Sequence, residues 1–229
     1  MITMIGSLKG GSGKSTLTFN LAIWLIHANR RVMVVDADPQ ATLSDVADVR
    51  REEGFQPPLE VRGSSALNDR QVMKEYDETL IDVGTADIEA VKRAIGIADR
   101  IIVPVPPSQA DIWSTQRFIR FVESVASDRS RPEIVGFINR ADTHRAIRES
   151  DEAAAALVSL PGIHYLKPRL AQRTAYRRSF SEGLAVFELE PRGKGTREWY
   201  ALAAALYPAV VGSPGATPSG PPVDELSTR

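Results

Sequence analysis

The chain has 229 residues, of which 43% are hydrophobic and 25% charged, and its formal net charge at pH 7 is −1. This size and composition predict a soluble globular protein of one α/β domain, and any nucleic-acid surface has to be a local patch. The lack of cysteine excludes disulfides, thiolate metal sites, iron–sulfur clusters and cysteine nucleophiles. Because the sequence has neither a secretory signal nor an apolar run of about 18 residues, we expect a cytoplasmic protein without membrane contact.

Short apolar segments alternate along the chain with segments of helical periodicity. Strands are predicted at residues 2–8, 31–37, 79–83, 101–105 and 134–138, with a short edge strand at 60–62, and helices from residue 14 and at 41–51, 88–98, 112–126 and 196–206. Strands that are apolar on both faces and separated by helices predict a mostly parallel, twisted sheet with helices on both faces. This domain is expected to span residues 1–211, and the Pro/Gly/Ser-rich residues 212–229 are expected to form a disordered tail.

A glycine-rich loop separates the first predicted strand from the first helix. Its glycines allow backbone N–H groups to approach phosphates, and the dipole of the following helix points at the same anion. Lys14 is expected to reach the β- and γ-phosphates and the Ser15 hydroxyl to bind Mg²⁺, which together predict a P-loop ATPase. The predicted nucleotide-binding loop consists of Lys9, Gly10, Gly11, Ser12, Gly13, Lys14, Ser15 and Thr16.

The loop departs from the standard phosphate-loop pattern in two ways. That pattern requires glycine where this chain has Leu8, and the chain carries an additional lysine, Lys9. The sequence Lys-Gly-Gly-x-Gly-Lys-Ser resembles the deviant Walker A motif of the MinD/ParA superfamily. The resemblance implies an ATP-dependent homodimer in which Lys9 contacts the phosphates of the nucleotide bound to the partner subunit.

Aspartates end two of the predicted strands. Asp36 and Asp38 follow the second strand and Asp82 ends the strand at 79–83, so all three are expected at the carboxyl edge of the sheet. Residues 36–40 resemble the family's first switch region, which implies that Asp38 positions the attacking water and Asp36 supports the metal. Asp82 is expected to hold Mg²⁺ through water, as a Walker B carboxylate does. A capping role for an aspartate before helix 41–51 is the open alternative. The sequence Val83-Gly84-Thr85 after the strand at 79–83 departs from the family's usual second switch, although Gly84 still allows a flexible loop.

The resemblance also implies residues that recognise the base. Asn139 follows the last predicted strand, where the family has an asparagine whose amide reads the adenine edge. Arg140 is next to it, and Pro168 falls at the family's second base-contacting loop. An asparagine in an ordinary strand-to-loop turn is the open alternative.

Residues 165–178, called the basic segment below, contain five cations and no acid. Such a cluster predicts binding to the phosphate backbone of DNA without base readout, and the alternative is a solvated helix face. The predicted DNA-binding residues are Arg140, Arg145, Arg148, Lys167, Arg169, Arg173, Arg177 and Arg178.

Taken together, these motifs resemble a ParA/ParF-like partition ATPase. The resemblance implies slow ATP hydrolysis with Lys9, Lys14 and Asp38 as catalytic residues, an ATP-dependent homodimer that binds nucleoid DNA non-specifically, and a cargo-bound ParB-like activator. A plasmid is the first expectation for the cargo, and a protein assembly such as a chemoreceptor cluster or a microcompartment is the alternative. A MinD-like membrane-surface switch and a small-molecule ligase are further alternatives.

Overall fold

The computed structural model of the protein describes residues 1–126, 131–143 and 148–211. Arg145 and the expected tail at 212–229 lie outside the described residues. The strands are β1 (Ile2–Ile5), β2 (Val32–Ala37), β3 (Val61–Gly63), β4 (Glu78–Val83), β5 (Arg100–Val105), β6 (Glu133–Ala141), β7 (His164–Tyr165) and β8 (Leu170–Ala171).

The helices are interspersed with these strands, and a 3₁₀ turn covers Ser64–Asn68. Among the described residues, no helix is both long and apolar enough to cross a lipid bilayer. The helices are α1 (Lys14–His27), α2 (Thr42–Glu52), α3 (Arg70–Met73), α4 (Ile88–Ile97), α5 (Gln109–Val125), α6 (Glu149–Val158), α7 (Thr174–Ser181), α8 (Val186–Leu189), α9 (Lys194–Leu206) and α10 (Pro208–Val211).

The sheet is parallel at every strand pair, with the order β3-β2-β4-β1-β5-β6-β7, and β8 pairs with the far end of β6. Successive side chains of a strand point to opposite faces, so each central strand contributes to two cores. In β5, Ile101 and Val103 pack against α4, α5 and α6, whereas Ile102 packs on the face covered by α1, α2 and α7 to α10. The parallel α/β sheet with helices on both faces is therefore confirmed.

Several element boundaries differ from those expected from the sequence. The predicted helix at 112–126 begins three residues earlier because Ser108 caps it and accepts a hydrogen bond from the backbone N–H of Asp111. β6 continues past the predicted end at 138 to Ala141, because its last residues pair with β8. β7 and β8 were not predicted, since two residues are too few to show strand periodicity.

A buried ion pair connects α2 with the carboxyl-terminal helices. Arg50 is fully buried, and its guanidinium donates to both carboxylate oxygens of Glu188 at 2.8 Å. It also donates to the carbonyl oxygens of Pro57 and Gly183. Because each of its three guanidinium nitrogens donates to one of these groups, Arg50 links α2 to α8.

Candidate nucleotide-binding site

The glycine-rich loop begins where β1 ends, at Ile5, rather than at the expected residue 8. Gly13, the last residue before α1, has φ of +92°, and a Cβ there would lie 2.6 Å from the Asn139 side-chain nitrogen. Both the backbone conformation and the space therefore require glycine. The Asn139 amide donates a hydrogen bond of 2.7 Å to the Ser12 carbonyl oxygen, which ties the loop to the carboxyl end of β6.

The start of α1 is arranged to receive an anion. Gly13 is the N-cap residue of α1, and no side chain accepts a capping hydrogen bond there, so the first N–H groups of the helix remain available. Lys14, the first residue of the helix, is buried, and its ammonium nitrogen lies 3.5 Å from Ser7 Oγ. Burial lowers the pKa of Lys14, and the charges of Asp82 and Asp38 oppose this shift. Lys14 makes no ion pair in the described part of the chain, and a phosphate would supply its missing counter-charge.

Lys9, the other lysine of the loop, has a carboxylate partner in the structure. Its ammonium group forms an ion pair of 2.9 Å with Asp111 in the first turn of α5. The Asp111 carboxylate also accepts a hydrogen bond from the Ser108 hydroxyl. The Lys9 side chain is about half exposed, with a relative accessibility of 49%. Lys9 and Lys14 therefore occupy different positions at the same edge of the sheet, although they belong to one loop.

Asp82, at the carboxyl end of β4, has no direct partner for its charge. It is fully buried, and neither carboxylate oxygen has a well-formed hydrogen bond from a described residue, although the Ser15 hydroxyl lies close enough to stabilise its charge. Burial raises the pKa of Asp82 to about 7, an effect that the nearby Ser15 hydroxyl and Lys14 oppose and that Asp36 reinforces. A buried carboxylate with free oxygens is a ligand that fits a hard cation.

Asp36 differs from Asp82 because its oxygens are already engaged. One oxygen accepts from the Asp38 N–H at 3.1 Å. The other accepts from the backbone N–H and the hydroxyl of Ser44, in the first turn of α2. Asp36 thus satisfies the amino-terminal end of α2, which is the capping alternative left open above. Its support of a metal remains a prediction.

Asp38 and Gly84 bring the loops that follow β2 and β4 together. A Cβ on Gly84 would lie 2.5 Å from both the Cγ and the Oδ1 of Asp38, so any larger residue at position 84 would displace this carboxylate. Asp38 Oδ1 also accepts a hydrogen bond from the Gln40 N–H at 3.0 Å. The unusual sequence after β4 therefore serves a geometric purpose, because it allows the Asp38 carboxylate to lie beside the end of that strand.

The oxygen atoms at this edge fit Mg²⁺. Asp82 and the Ser15 hydroxyl would hold the ion, and oxygen donors of this kind are those that Mg²⁺ prefers. No group of three or more His, Cys, Asp or Glu side chains in the described residues forms a complete metal site. Mg²⁺ would therefore take its remaining ligands from water and phosphate, which is usual for this ion in nucleotide sites.

A cavity of about 540 Å³ adjoins the loop on the side of α1 and α7. Asn139 and Arg140 line it, and Arg140 adopts a left-handed backbone conformation with φ of +56°. The expected second base-contacting residue, Pro168, is absent from the wall, which residues 170–174 form instead. The Asn139 carbonyl oxygen is the atom of this side chain that remains for a base, since its amide nitrogen is bonded to the loop. The base contacts of Asn139, Arg140 and Pro168 stay predictions.

The basic segment is less positive in the structure than in the sequence. Arg169 pairs with Asp151 at 2.6 Å, Arg173 Nε lies 3.0 Å from Glu198 Oε2, and Arg178 pairs with Glu182 at 2.9 Å. Among the described residues, four of the predicted DNA-binding cations have no carboxylate partner and are exposed. These are Arg140, Arg148, Lys167 and Arg177.

Sequence reasoning missed two residues of the site. Asp111, the partner of Lys9, lies in a Ser-x-x-Asp pattern at the start of α5, and that pattern predicts a helix start rather than an ion pair. Ser7 contacts three parts of the loop: its hydroxyl donates to the Lys9 carbonyl oxygen, lies 3.1 Å from Ser12 Oγ and receives Lys14. No sequence motif marks a serine in that position.

Comparison with known proteins agrees with this geometry. The CobQ/CobB/MinD/ParA nucleotide binding domain model matches residues 3–186. Maintenance of carboxysome distribution protein A from Halothiobacillus neapolitanus is 27% identical over 198 residues, covering 85% of this chain and 90% of that protein. Protein ParA from Rhizobium radiobacter is 27% identical over 191 residues, covering 80% and 83%. The MinD structure from Pyrococcus horikoshii complexed with Mg-ADP has a TM-score of 0.69 at 21% identity, covering 90% and 95%. Because the family model spans most of the chain, the protein belongs to the CobQ/CobB/MinD/ParA family of nucleotide-binding domains.

Proposed function

We propose that the protein is an ATP-hydrolysing switch that dimerises with ATP, binds DNA non-specifically and thereby positions a cargo. The observation that carries this proposal is that the two lysines of one loop differ in burial and in partners. Lys14 is buried beside the unpartnered Asp82, where it fits the phosphates of its own nucleotide. Lys9 is paired with Asp111 instead, and because its side chain is about half exposed, a second subunit would be able to reach it.

Hydrolysis in this site would depend on positioning and electrostatics. The N–H groups of the loop and Lys14 hold the phosphates, and Lys14 stabilises charge on the leaving β-phosphate. Ser15 and Asp82 would hold Mg²⁺, which would supply positive charge against the charge of the phosphates. Asp38, beside Gly84, orients the attacking water. Among the described residues of the site we find no strong general base. The positive charge around the phosphates is complete only when Lys9 of a second copy is added, so we expect slow turnover.

Binding of DNA is assigned to the exposed, unpaired cations. Arg140 and Arg177 line the cavity beside the loop, so the charge they present changes when a nucleotide occupies it. Lys167, after β7, and Arg148, before α6, are exposed and do not line the cavity. Side chains of this kind neutralise phosphates without reading bases, which fits binding to nucleoid DNA of any sequence.

Two cargo classes receive equal support. One similar protein is named for carboxysome distribution and another is named ParA, and each is 27% identical to this chain. A microcompartment or other protein assembly is therefore as well supported as a plasmid. In either case we expect a cargo-bound activator, ParB-like for a plasmid, that stimulates hydrolysis and releases the dimer from DNA.

A gel shift with random-sequence duplex DNA tests the proposal, comparing no nucleotide, Mg-ADP and Mg-ATP. We expect salt-sensitive binding only with Mg-ATP, together with an ATP-dependent dimer by light scattering. Lys9→Ala should retain ATP binding and lose both the dimer and the shift, whereas Lys14→Ala should lose ATP binding itself. Lys9→Ala with an undiminished dimer, or DNA binding that ignores nucleotide, would contradict the proposal.

A further inference from the structure

Four large hydrophobic side chains are exposed in the described part of the chain, and their distribution is uneven. They are Met1 at 45%, Ile88 at 42%, Trp113 at 55% and Val158 at 63% relative accessibility. Ile88 is the first residue of α4 and Trp113 the fifth of α5, and both helices start at the carboxyl edge of the parallel sheet, where the nucleotide loop lies. Met1 precedes β1 and Val158 ends α6, so both lie at the opposite edge.

Trp113 is connected to the loop through its own helix. Asp111, which binds Lys9 at 2.9 Å, stands two residues before Trp113. Ile88 follows the switch loop that contains Gly84, which itself contacts Asp38. Both exposed hydrophobic residues therefore belong to the helix starts that frame the reactive edge.

The proposed role of Lys9 constrains what surrounds it. For Lys9 to reach a phosphate held by a second copy, the two carboxyl edges have to approach within the length of one lysine side chain. In a two-fold dimer the same surface is used by both copies, so residues that border Lys9 lie near the partner's edge. Exposed apolar groups at this border would then be removed from water, and those at the opposite edge would not.

We propose that Trp113 and Ile88 form the apolar part of the surface on which a second copy of this chain docks when ATP is bound. This inference rests on the proposed function. Tryptophan is the residue type most enriched among those that dominate interface energetics. Arg117 and Arg120 lie on the same outward face of α5 as Trp113, are exposed, and have no carboxylate partner among the described residues. They supply the polar rim that such an apolar centre requires.

Tryptophan fluorescence tests this surface directly. The chain has three tryptophans, and Trp24 and Trp199 are buried at 4% and 0% accessibility, so Trp113 is the one that can change from water to a dry environment. We expect Mg-ATP to shift the emission to shorter wavelength in proportion to the dimer fraction across a dilution series. Mg-ADP should leave the spectrum unchanged, and Trp113→Phe should abolish the shift. A shift that ignores protein concentration would overturn the inference.

A matched pair of substitutions measures the contribution to assembly. We expect Trp113→Gln to weaken the ATP-dependent dimer at least about 30-fold, as loss of an interface hot spot does, and Ile88→Gln to weaken it several-fold. Val158→Gln, an equally exposed residue at the opposite edge, should dimerise like the parent. Affinity for a fluorescent ATP analogue under monomer conditions should be the same in all four proteins, and thermal unfolding shows that each is folded.

The outcomes separate this inference from the proposal on which it rests. A parent that stays monomeric with Mg-ATP at every concentration overturns both. A parent that dimerises together with a Trp113→Gln variant that dimerises equally well overturns the docking surface alone. The same holds if Val158→Gln loses the dimer as much as Trp113→Gln does, since the effect would then not belong to the carboxyl edge.

Discussion

The carboxyl edge of the sheet around Lys14 and Asp82, called the nucleotide edge below, and the basic segment are both rich in charge. The two regions differ in whether their charged side chains have protein partners. At the nucleotide edge, Lys14 and Asp82 are buried, and neither forms an ion pair with a described residue. In the basic segment, the Nε and one terminal nitrogen of Arg173 both donate to the Glu198 carboxylate. The comparison teaches that density of charge along a sequence is a weaker guide to a ligand site than buried charge without a protein partner.

The reason lies in the cost of desolvation. Removing a charge from water is unfavourable unless a partner of opposite charge or several hydrogen bonds replace the water. An unpaired buried charge therefore destabilises the free protein, and a bound ligand that supplies the missing partner removes this destabilisation. Arg50 and Glu188 show the opposite extreme, because Arg50 is fully buried and each of its guanidinium nitrogens donates to a protein group.

The largest expected effect comes from breaking the fully paired example. Arg50→Met should lower the free energy of unfolding by about 3–5 kcal/mol, because it leaves the partly buried Glu188 and the Gly183 carbonyl without their donor. Chemical denaturation of the nucleotide-free protein measures this difference. The matched control is Arg51→Met, one residue along α2, whose pair with Asp48 is exposed on both sides.

For Arg51→Met we expect a loss below about 1 kcal/mol, since exposed ion pairs contribute little. Equal losses for Arg50→Met and Arg51→Met would contradict the view that pairing of buried charge distinguishes the two parts of the molecule.

A smaller effect of opposite sign is expected at the nucleotide edge. Burial raises the pKa of Asp82 to about 7, so the unfavourable contribution of its charge accumulates as pH rises from the ordinary aspartate pKa to about 7. That contribution is present in full at pH 8. Asp82→Asn should therefore raise the free energy of unfolding of the nucleotide-free protein at pH 8 by about 1–3 kcal/mol. At pH 4 the two proteins should differ much less.

The same substitution should remove a function. Asp82→Asn is expected to abolish the strengthening of ATP binding by Mg²⁺, measured by titration with a fluorescent ATP analogue with and without the ion. The prediction fails if Asp82→Asn is less stable than the parent at pH 8, or if Mg²⁺ still strengthens ATP binding to the same degree.

The sequence indicates which residues meet at the nucleotide edge, because the determinants of this arrangement are local. Gly13, Lys14 and Ser15 act within one strand–loop–helix unit, and the parallel order of strands brings Asp82 to the same edge. The predicted parallel sheet and its helices follow from apolar periodicity alone. The partners of the basic segment were not predictable in this way, since Glu198 lies on α9, 25 residues from Arg173.

Contacts between residues that are distant in the sequence also explain why the partners of Lys9 and Asn139 were not predicted. Asp111 is separated from Lys9 by four strands and four helices of chain, and the contact appears only when β1 and β5 are neighbours. Asn139 was predicted from resemblance to read a base. Its amide nitrogen is bonded to the Ser12 carbonyl, a contact across the sheet that no spacing rule describes.

The smallest expected effect is on the salt dependence of DNA binding, and it is tested by replacing an unpaired and a paired cation of the basic segment. Lys167→Gln should reduce the slope of log DNA affinity against log salt by about one, because one phosphate contact is lost. Arg173→Gln should leave that slope unchanged and lower the free energy of unfolding by about 1 kcal/mol, because its guanidinium is committed to Glu198. Gel shifts with Mg-ATP over a range of salt concentrations measure the slopes. If Arg173→Gln changes the slope as much as Lys167→Gln does, DNA competes successfully for a paired arginine, and pairing in the free protein no longer separates structural from DNA-binding cations.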